Sequence, residues 1–259
     1  MKELEKYYEN HHRHISELSD IPPKKFTQEN FHKLRVELKK LNALFDIINY
    51  CSINFKRKKS FKSYKLLFKQ AGKVRELQLE ENLLKIHDTN NSLKKFRAKL
   101  KLLRSQEQEK YFELRESITI IKDKKIIPLL TGIDKESIQN YLTKKEEKIS
   151  QLLLKINIDE DELHELRKRL KLMNYILVSL NKKKENTERE NLAELLGKWH
   201  DCQVMEERFG KAIKKGEVDA NELNSLKRII KKIAVDKNQF LIEISKIVGA
   251  GKTKNKQKK

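Results

Sequence analysis

The chain has 259 residues and a formal net charge of +21, because 59 Lys and Arg stand against 38 Asp and Glu. Only 7 Gly and 3 Pro interrupt it, too few for a β-sandwich or barrel with many turns, and the 37% share of hydrophobic residues suits helices with one buried face. A charge of this size repels itself in a compact fold, so we expect a polyanionic partner such as nucleic acid, anionic lipid or inorganic polyphosphate.

Apolar spacing and chain breakers predict an all-α protein of eight helices. The predicted ranges are about 2–18, 27–50, 61–86, 90–120, 134–155, 160–182, 187–214 and 219–247. The strongest break is "IPLLTGIDKES", which carries Pro128 and Gly132 near the midpoint of the chain. The tail, residues 249–259, is basic and nearly without apolar side chains, a composition that predicts a disordered arm.

Four helices, a break and four more helices indicate an internal duplication. When His32 is matched to His164, the apolar positions of one helix meet apolar positions of the other, as where Leu34 falls on Leu166. Chance agreement between two amphipathic helices is the alternative explanation. The predicted halves are residues 1–128 and 129–248, each a four-helix unit, followed by the tail 249–259.

Each half carries a histidine and two cations at the same spacing, in "FHKLRVELKK" and "LHELRKRLKL". We define the first histidine ridge as His32, Arg35 and Lys39, and the second histidine ridge as His164, Arg167 and Lys171. On a helix these positions lie on one side, opposite the Leu-rich stripe. No acid interrupts either ridge, whereas a solvated charged face would normally mix in acids as i,i+4 partners, so the pattern indicates an anion-binding site.

The predicted fourth helix adds a weaker cationic stripe in "SLKKFRAKLKLLR". Arg97 and Lys101 lie at helical spacing on a face away from its apolar side chains. A solvated face explains this stripe as well as a binding face does, so the two residues are supporting candidates only.

Two acid-x-x-His pairs have the spacing by which di-iron helical bundles place a carboxylate and an imidazole on one metal ion. The pairs are Glu29 with His32 and Asp161 with His164. Acids are expected in the first turn of a helix in any case, and the cations of the same ridge disfavour a divalent metal ion beside the histidine. We therefore predict no metal site at either pair.

The tract "HHRH" also resembles a set of metal ligands, but His11 and His14 share the apolar face of the predicted first helix, which favours packing histidines. Cys51 and Cys202 sit among helical apolar residues and are expected to be reduced thiols. No Gly-rich phosphate loop and no nucleophile–base order stands out. The sequence therefore predicts neither a catalytic residue nor a cofactor, and we expect a protein that is not an enzyme.

The N-terminus "MKELEKYYEN" has no apolar signal-peptide core, and no run approaches the roughly 18 apolar residues of a membrane span. We expect a soluble, cytoplasmic protein without a membrane partner.

The residues of the two ridges resemble the CHAD domain, the conserved histidine α-helical domain. "FHKLRVELKKLNALF" resembles the first signature of that family, a helix reading His-x-x-Arg-Val with further basic residues one turn later. "LHELRKRLKLMNYIL" is similar to its second-half counterpart, and "LGKWHDCQVM" is similar to its Leu-Gly-x-x-x-Asp segment. The resemblance covers most of the chain, although Asn42 and Asn174 stand where a further arginine often follows in the family.

The resemblance implies two antiparallel four-helix bundles related by a pseudo-two-fold axis, whose histidine helices face a basic groove that binds inorganic polyphosphate. The ligands that it implies are His32, Arg35, Lys39, Lys40 and Arg75 in one half and His164, Arg167, Lys168 and Lys171 in the other. It leaves open whether the protein sits on polyphosphate granules.

Binding of nucleic acid is the alternative function. Stacking on single strands needs exposed aromatic side chains among the cations. The aromatic residues mostly take core positions instead, as Phe45, Phe96, Tyr111 and Trp199 do. We therefore expect nucleic acid to bind more weakly than polyphosphate, or without specificity.

Overall fold

The computed structural model describes residues 2–118, 120, 124–155, 158–182 and 187–256, and in this part of the chain the regular elements are all helices, without a strand. The helices are α1 (Lys2–Asp20), α2 (Gln28–Cys51), α3 (Arg57–Ser60), α4 (Lys62–His87), α5 (Lys94–Ser117), α6 (Ile126–Thr131), α7 (Lys135–Leu153), α8 (Glu160–Ser179), α9 (Thr187–Lys214) and α10 (Ala220–Lys256). The predicted all-α fold is confirmed, and each predicted helix corresponds to a long helix of the structure.

Three short elements were not predicted. A 3₁₀ turn at Pro23–Lys25 follows α1, the four-residue α3 lies in the basic connection after α2, and α6 occupies the predicted midpoint break. Pro128 is tolerated in α6 because it lies in the first turn, where backbone N–H groups have no partner within the helix. The prediction missed α6 because proline and glycine close together also mark a loop.

Helix α10 continues to Lys256, so its backbone is helical over most of the segment for which composition predicts disorder. No proline interrupts the segment, and each further residue adds a hydrogen bond to a helix that is already nucleated. Residues 257–259 lie outside the described residues. The boundary between two halves at residue 128 and the pseudo-two-fold duplication stay predictions.

The chain divides into two compact units, and each draws on several separate segments. The first unit contains Met1–Glu76, Arg104–Glu147 and Leu172–Lys184. In it α1 packs along α2, with the Tyr8 and Phe45 rings 6.4 Å apart between centroids. An aromatic cluster anchors the turn between these helices, because the Phe31 ring lies 4.7 Å from Phe26 and 5.0 Å from Tyr111.

The second unit contains Leu77–Leu103, Lys148–Lys171 and Glu185–Lys259. Its core joins the C-terminal part of α4 and the start of α5 to α9 and α10, through Leu84, Leu93, Phe209 and Ile233 among others. The buried carboxylate of Glu222 accepts hydrogen bonds from the backbone N–H groups of Lys95 and Phe96, at 2.7 and 2.9 Å. This contact caps α5 from another helix and satisfies donors that the first turn leaves without partners.

No helix in the described part of the chain is both long enough and apolar enough to cross a membrane.

Candidate cationic site

Helix α2 presents the first histidine ridge because of where its apolar residues fall. Thr27 caps the helix by accepting a hydrogen bond from the Asn30 N–H at 3.3 Å, which fixes the start of its first turn. Leu34 and Leu38 are fully buried on one side. The ridge therefore lies on the other side, with the imidazole of its histidine exposed and its two cations half-buried.

The guanidinium of Arg35 lies across α4 and is held there by the backbone of that helix. Its Nη1 donates a hydrogen bond to the Phe68 carbonyl at 2.7 Å, and its central carbon lies 4.2 Å from the centroid of the Phe68 ring. A Cβ at Gly72 would come within 2.4 Å of Nη1, closer than real Cβ contacts allow. Glycine at this position is therefore what lets the guanidinium approach the helix.

Arg75 of α4 joins the first ridge. Burial lowers the pKa of His32, the positive charge of Arg75 lowers it further, and the nearby carboxylate of Glu29 works in the opposite direction. Burial also lowers the pKa of Arg35, with Glu76 opposing and Arg75 reinforcing the shift. These side chains thus form one cluster in which neighbouring positive charges at short range disfavour one another.

Helix α8 presents the second histidine ridge in the same way. Leu166 and Leu170 are buried, and the three ridge side chains are half-buried on the other side of the helix. His200 of α9 joins this ridge, because its Nδ1 lies 3.3 Å from Nδ1 of His164 and the two ring centroids are 4.5 Å apart. Gly197 lies one turn earlier on α9, and a Cβ there would stand 3.8 Å from Nζ of Lys171, an ordinary contact.

The second cluster disfavours added protons. Burial, the charge of Arg167 and the neighbouring His164 lower the pKa of His200 to about 4. Burial also lowers the pKa of Lys171, with Arg167 adding to the shift and Asp201 opposing it. For His164 the pKa falls through burial and the nearby cations Lys168 and Arg167. Both imidazoles are therefore neutral at pH 7, ready to donate one N–H each or to take up a proton when an anion arrives.

Three of the predicted ligands form ion pairs within the fold. Lys40 Nζ lies 2.8 Å from Glu37 Oε1, and Lys168 Nζ lies 2.8 Å from Glu165 Oε2. Arg97 donates to the Leu84 carbonyl at 2.8 Å, which caps the end of α4, and its Nη2 lies 3.2 Å from a carboxylate oxygen of Asp88. Lys101 is exposed on α5. The structure thus brings Arg75 to the first ridge and Lys168 close to His164 of the second, and it pairs Lys40 and Arg97 with acids.

His200 is the residue that sequence reasoning left out of the predicted ligand set. A signal for it exists, because "AGKVREL" and "LGKWHDC" align on Gly72 and Gly197, and His200 then falls on Arg75. Asn42, which stands where a further arginine often follows in the family, is hydrogen-bonded within the fold. Its Oδ1 accepts hydrogen bonds from the guanidinium of Arg57, at 3.3 Å from Nε and 3.0 Å from Nη2.

The aromatic residues named in the nucleic-acid alternative are in the core. Phe45, Phe96, Tyr111 and Trp199 are each at most 4% exposed. None of the four offers a ring on which a base could stack.

Comparisons with known proteins agree on one family. The model of the CHAD domain matches residues 12–210. The fold is similar to the crystal structure of the CHAD domain from the plant Ricinus communis, with a TM-score of 0.72 at 11% sequence identity, covering 96% of this chain and 91% of that one. It is equally similar to PptA from Streptomyces chartreusis, with a TM-score of 0.72 at 10% identity, covering 95% of this chain and 98% of that one.

No curated protein matches the sequence. The family match spans well over half of the chain, and the fold agrees with two solved structures along nearly their full length. With its two histidine ridges at the positions of the family's signatures, this chain belongs to the CHAD domain family.

Proposed function

We propose that this protein binds inorganic polyphosphate through its two histidine ridges and does not catalyse a reaction on it. The proposed ligands are the first ridge with Arg75 and the second ridge with His200. Lys40, Lys168 and Arg97 are assigned a secondary, electrostatic role because they form ion pairs, and Lys101 is assigned the same role because it is exposed on α5.

The main support for the proposal is that a side chain from a second helix joins each ridge, and that the two side chains stand at corresponding positions of the sequence. In each unit the helix that carries "Gly-Lys" packs its glycine against a ridge cation and supplies a further nitrogen-bearing side chain three residues later. Clustering like charges is costly for folding, and such a cost is expected where an anion binds. Family membership supports the same ligand, as the resemblance implies.

Polyphosphate suits these clusters because it is a linear polyanion with charge at every phosphate. Lys and Arg would bind it by charge-assisted hydrogen bonds and by releasing its condensed counterions, so affinity should fall steeply with salt. The neutral imidazoles would each donate one hydrogen bond. A bound phosphate would also raise their pKa values, so binding takes up protons and affinity should rise as the pH falls from 8 to 6. If the affinity were unchanged over this pH range, the histidines would not be ligands of polyphosphate.

Binding of nucleic acid is the competing function, because a protein with a net charge of +21 attracts any polyanion. The decisive experiment titrates the purified protein with long-chain polyphosphate and with single- and double-stranded nucleic acid, at about 150 mM salt. It is repeated on a His32→Ala/Arg35→Ala/Lys39→Ala variant. A Lys227→Ala/Lys231→Ala variant is the matched control, because it removes two exposed positive charges from α10 and leaves both ridges intact.

Three results are informative. A polyphosphate preference that is lost in the ridge variant and kept in the α10 variant would support the proposal. Equal affinity for all three polyanions, lowered by the same factor in both variants, would mean that the charge acts diffusely. A preference for nucleic acid would favour the alternative. Whether the protein occurs on granules in the cytoplasm is a separate proposal, tested by imaging the tagged protein together with stained polyphosphate.

A further inference from the structure

The histidine tract of α1 converges on a carboxylate of α2 that is not part of the first ridge. His11 and His14 are three residues apart on one face of α1, and both turn their Nδ1 atoms to the same oxygen of Glu37. Nδ1 of His14 lies 3.3 Å from that Oε2, and Nδ1 of His11 contacts it directly. One ligand atom from each of the three residues lies within 4.8 Å of the other two.

The surroundings hold the three groups in place. The side chains of His11 and Glu37 are each 11% exposed, whereas that of His14 is 43% exposed. Lys40 Nζ lies 2.8 Å from the other carboxylate oxygen, Oε1, which orients Glu37 so that Oε2 faces the imidazoles. The Tyr7 ring packs on His11 with 4.0 Å between centroids.

The carboxylate is charged at neutral pH. Burial by itself would raise the pKa of Glu37, but the hydrogen bonds from His11 and Lys40 outweigh burial and hold it at about 2. A neutral imidazole carries one N–H group. Both neutral rings can therefore donate a hydrogen bond to Oε2 of Glu37 only if both carry that proton on Nδ1. A divalent cation relieves this constraint, because it accepts a lone pair from each of the three atoms at once.

The geometry points to a binding site for a divalent transition metal ion of the zinc class, formed by His11, His14 and Glu37. Two imidazoles and one carboxylate are a ligand set that Zn²⁺ uses at three-ligand sites. Ligands at the usual Zn²⁺ bond lengths stand about 3.3 Å apart in a tetrahedral arrangement, which is the present separation of His14 Nδ1 and Glu37 Oε2. The half-exposed side of His14 leaves the fourth position to water, and the ion ties α1 to α2.

The charge argument that disfavours a metal at His32 does not apply with the same force here. There the cations share the histidine's own ridge and are joined by Arg75. Here Lys40 bonds the carboxylate oxygen that does not face the imidazoles and acts as an outer partner that orients the ligand.

The test uses the full chain, freed of metal with a chelator, in the absence of any phosphate. Zn²⁺ is titrated by calorimetry, and Co²⁺ is added as a spectroscopic probe whose visible absorption reports tetrahedral coordination. The variants are His14→Ala and Glu37→Gln, since the exposure of His14 makes its removal tolerable to the fold. His12→Gln is the matched control because it removes an imidazole from the same helix outside the triad.

We expect one equivalent of Zn²⁺ to bind, a rise in Tm with Zn²⁺ concentration, and at least about a tenfold loss of affinity in both triad variants. The His12→Gln protein should bind as the parent does. Absence of saturable binding at one equivalent, or equal losses in His14→Ala and His12→Gln, would overturn the site. Because no polyphosphate is present, this outcome is independent of the proposed function.

Discussion

The two histidine ridges begin from the same spacing and end in different surroundings. The first is joined by Arg75, a permanent cation, and its own arginine is fixed to the backbone of α4 above Gly72. The second is joined by His200, whose imidazole faces that of His164 and has a pKa of about 4. A matched sequence pattern therefore yields one ridge that is joined by a residue of fixed charge and another that is joined by a residue whose charge depends on pH and on a ligand.

If the ridges bind polyphosphate as proposed, this difference gives them different tasks. Permanent cations give long-range attraction at any physiological pH. Neutral imidazoles avoid repulsion among buried like charges and acquire a proton only when an anion compensates it. The comparison predicts that the residues shared by the two ridges contribute similarly to polyphosphate affinity. The residues that differ should contribute differently to its pH dependence.

The largest expected effect is the loss of polyphosphate affinity when either ridge is removed, and it tests whether the two ridges contribute equally. His32→Ala/Arg35→Ala/Lys39→Ala and His164→Ala/Arg167→Ala/Lys171→Ala each remove one arginine and one lysine. Each lost charge-assisted hydrogen bond is worth about 1.5–3 kcal/mol, so both variants should lose at least about 100-fold in polyphosphate affinity. Calorimetric titration at fixed salt measures the loss. A large effect in one ridge and none in the other would show that only one half of the chain binds.

The residues that join the ridges, Arg75 and His200, should determine how polyphosphate affinity depends on pH. His200→Arg adds a permanent cation to the second ridge, so affinity at pH 8 should rise about tenfold and its pH dependence should weaken. Arg75→His should lower affinity by a similar factor and make the pH dependence steeper. The pair serves as its own control, because the two changes are expected to act in opposite directions. Shifts in the same direction would contradict the difference between the ridges.

The two glycines should respond differently to alanine. Alanine is favoured over glycine within a helix by roughly 0.5–1 kcal/mol, and at Gly197 nothing opposes this gain because the new Cβ makes an ordinary contact. At Gly72 the Cβ displaces the Arg35 guanidinium from the Phe68 carbonyl, so we expect a net loss of about 1 kcal/mol. Urea unfolding measures both changes. Stabilisation by Gly72→Ala would mean that the arginine is not held where the structure places it.

A further expected effect is on stability in acid. The pKa of His200 is about 4 in the fold, against an ordinary 6.5, so the unfolded chain takes up a proton that the folded chain does not. Stability from this group is therefore complete above about pH 6.5 and is lost as the pH falls towards 4. The urea midpoint of the parent should fall more over this range than that of His200→Gln. Parallel curves for the two proteins would show that the imidazole is not kept neutral by its neighbours.

The sequence predicted the fold in considerable detail because the relevant signals are local. Apolar residues at steps of three and four placed all eight long helices, and they put Leu34 and Leu38 inward and the first ridge outward. Short elements escaped detection, since α3 and α6 contain too few residues to show a period. The start of α5 was placed four residues early, because Asp88 and Glu222 cap it from positions that periodicity does not reveal.

By itself, then, the sequence determined the helices, their buried faces and the two ridges, all of which follow from side-chain spacing along one helix. Only the tertiary structure decided which side chains of other helices join a ridge, as Arg75 of α4 joins the first. It also decided that the α1 histidines meet Glu37. These contacts join different helices, and they depend on how neighbouring helices pack, which no periodicity within one helix encodes.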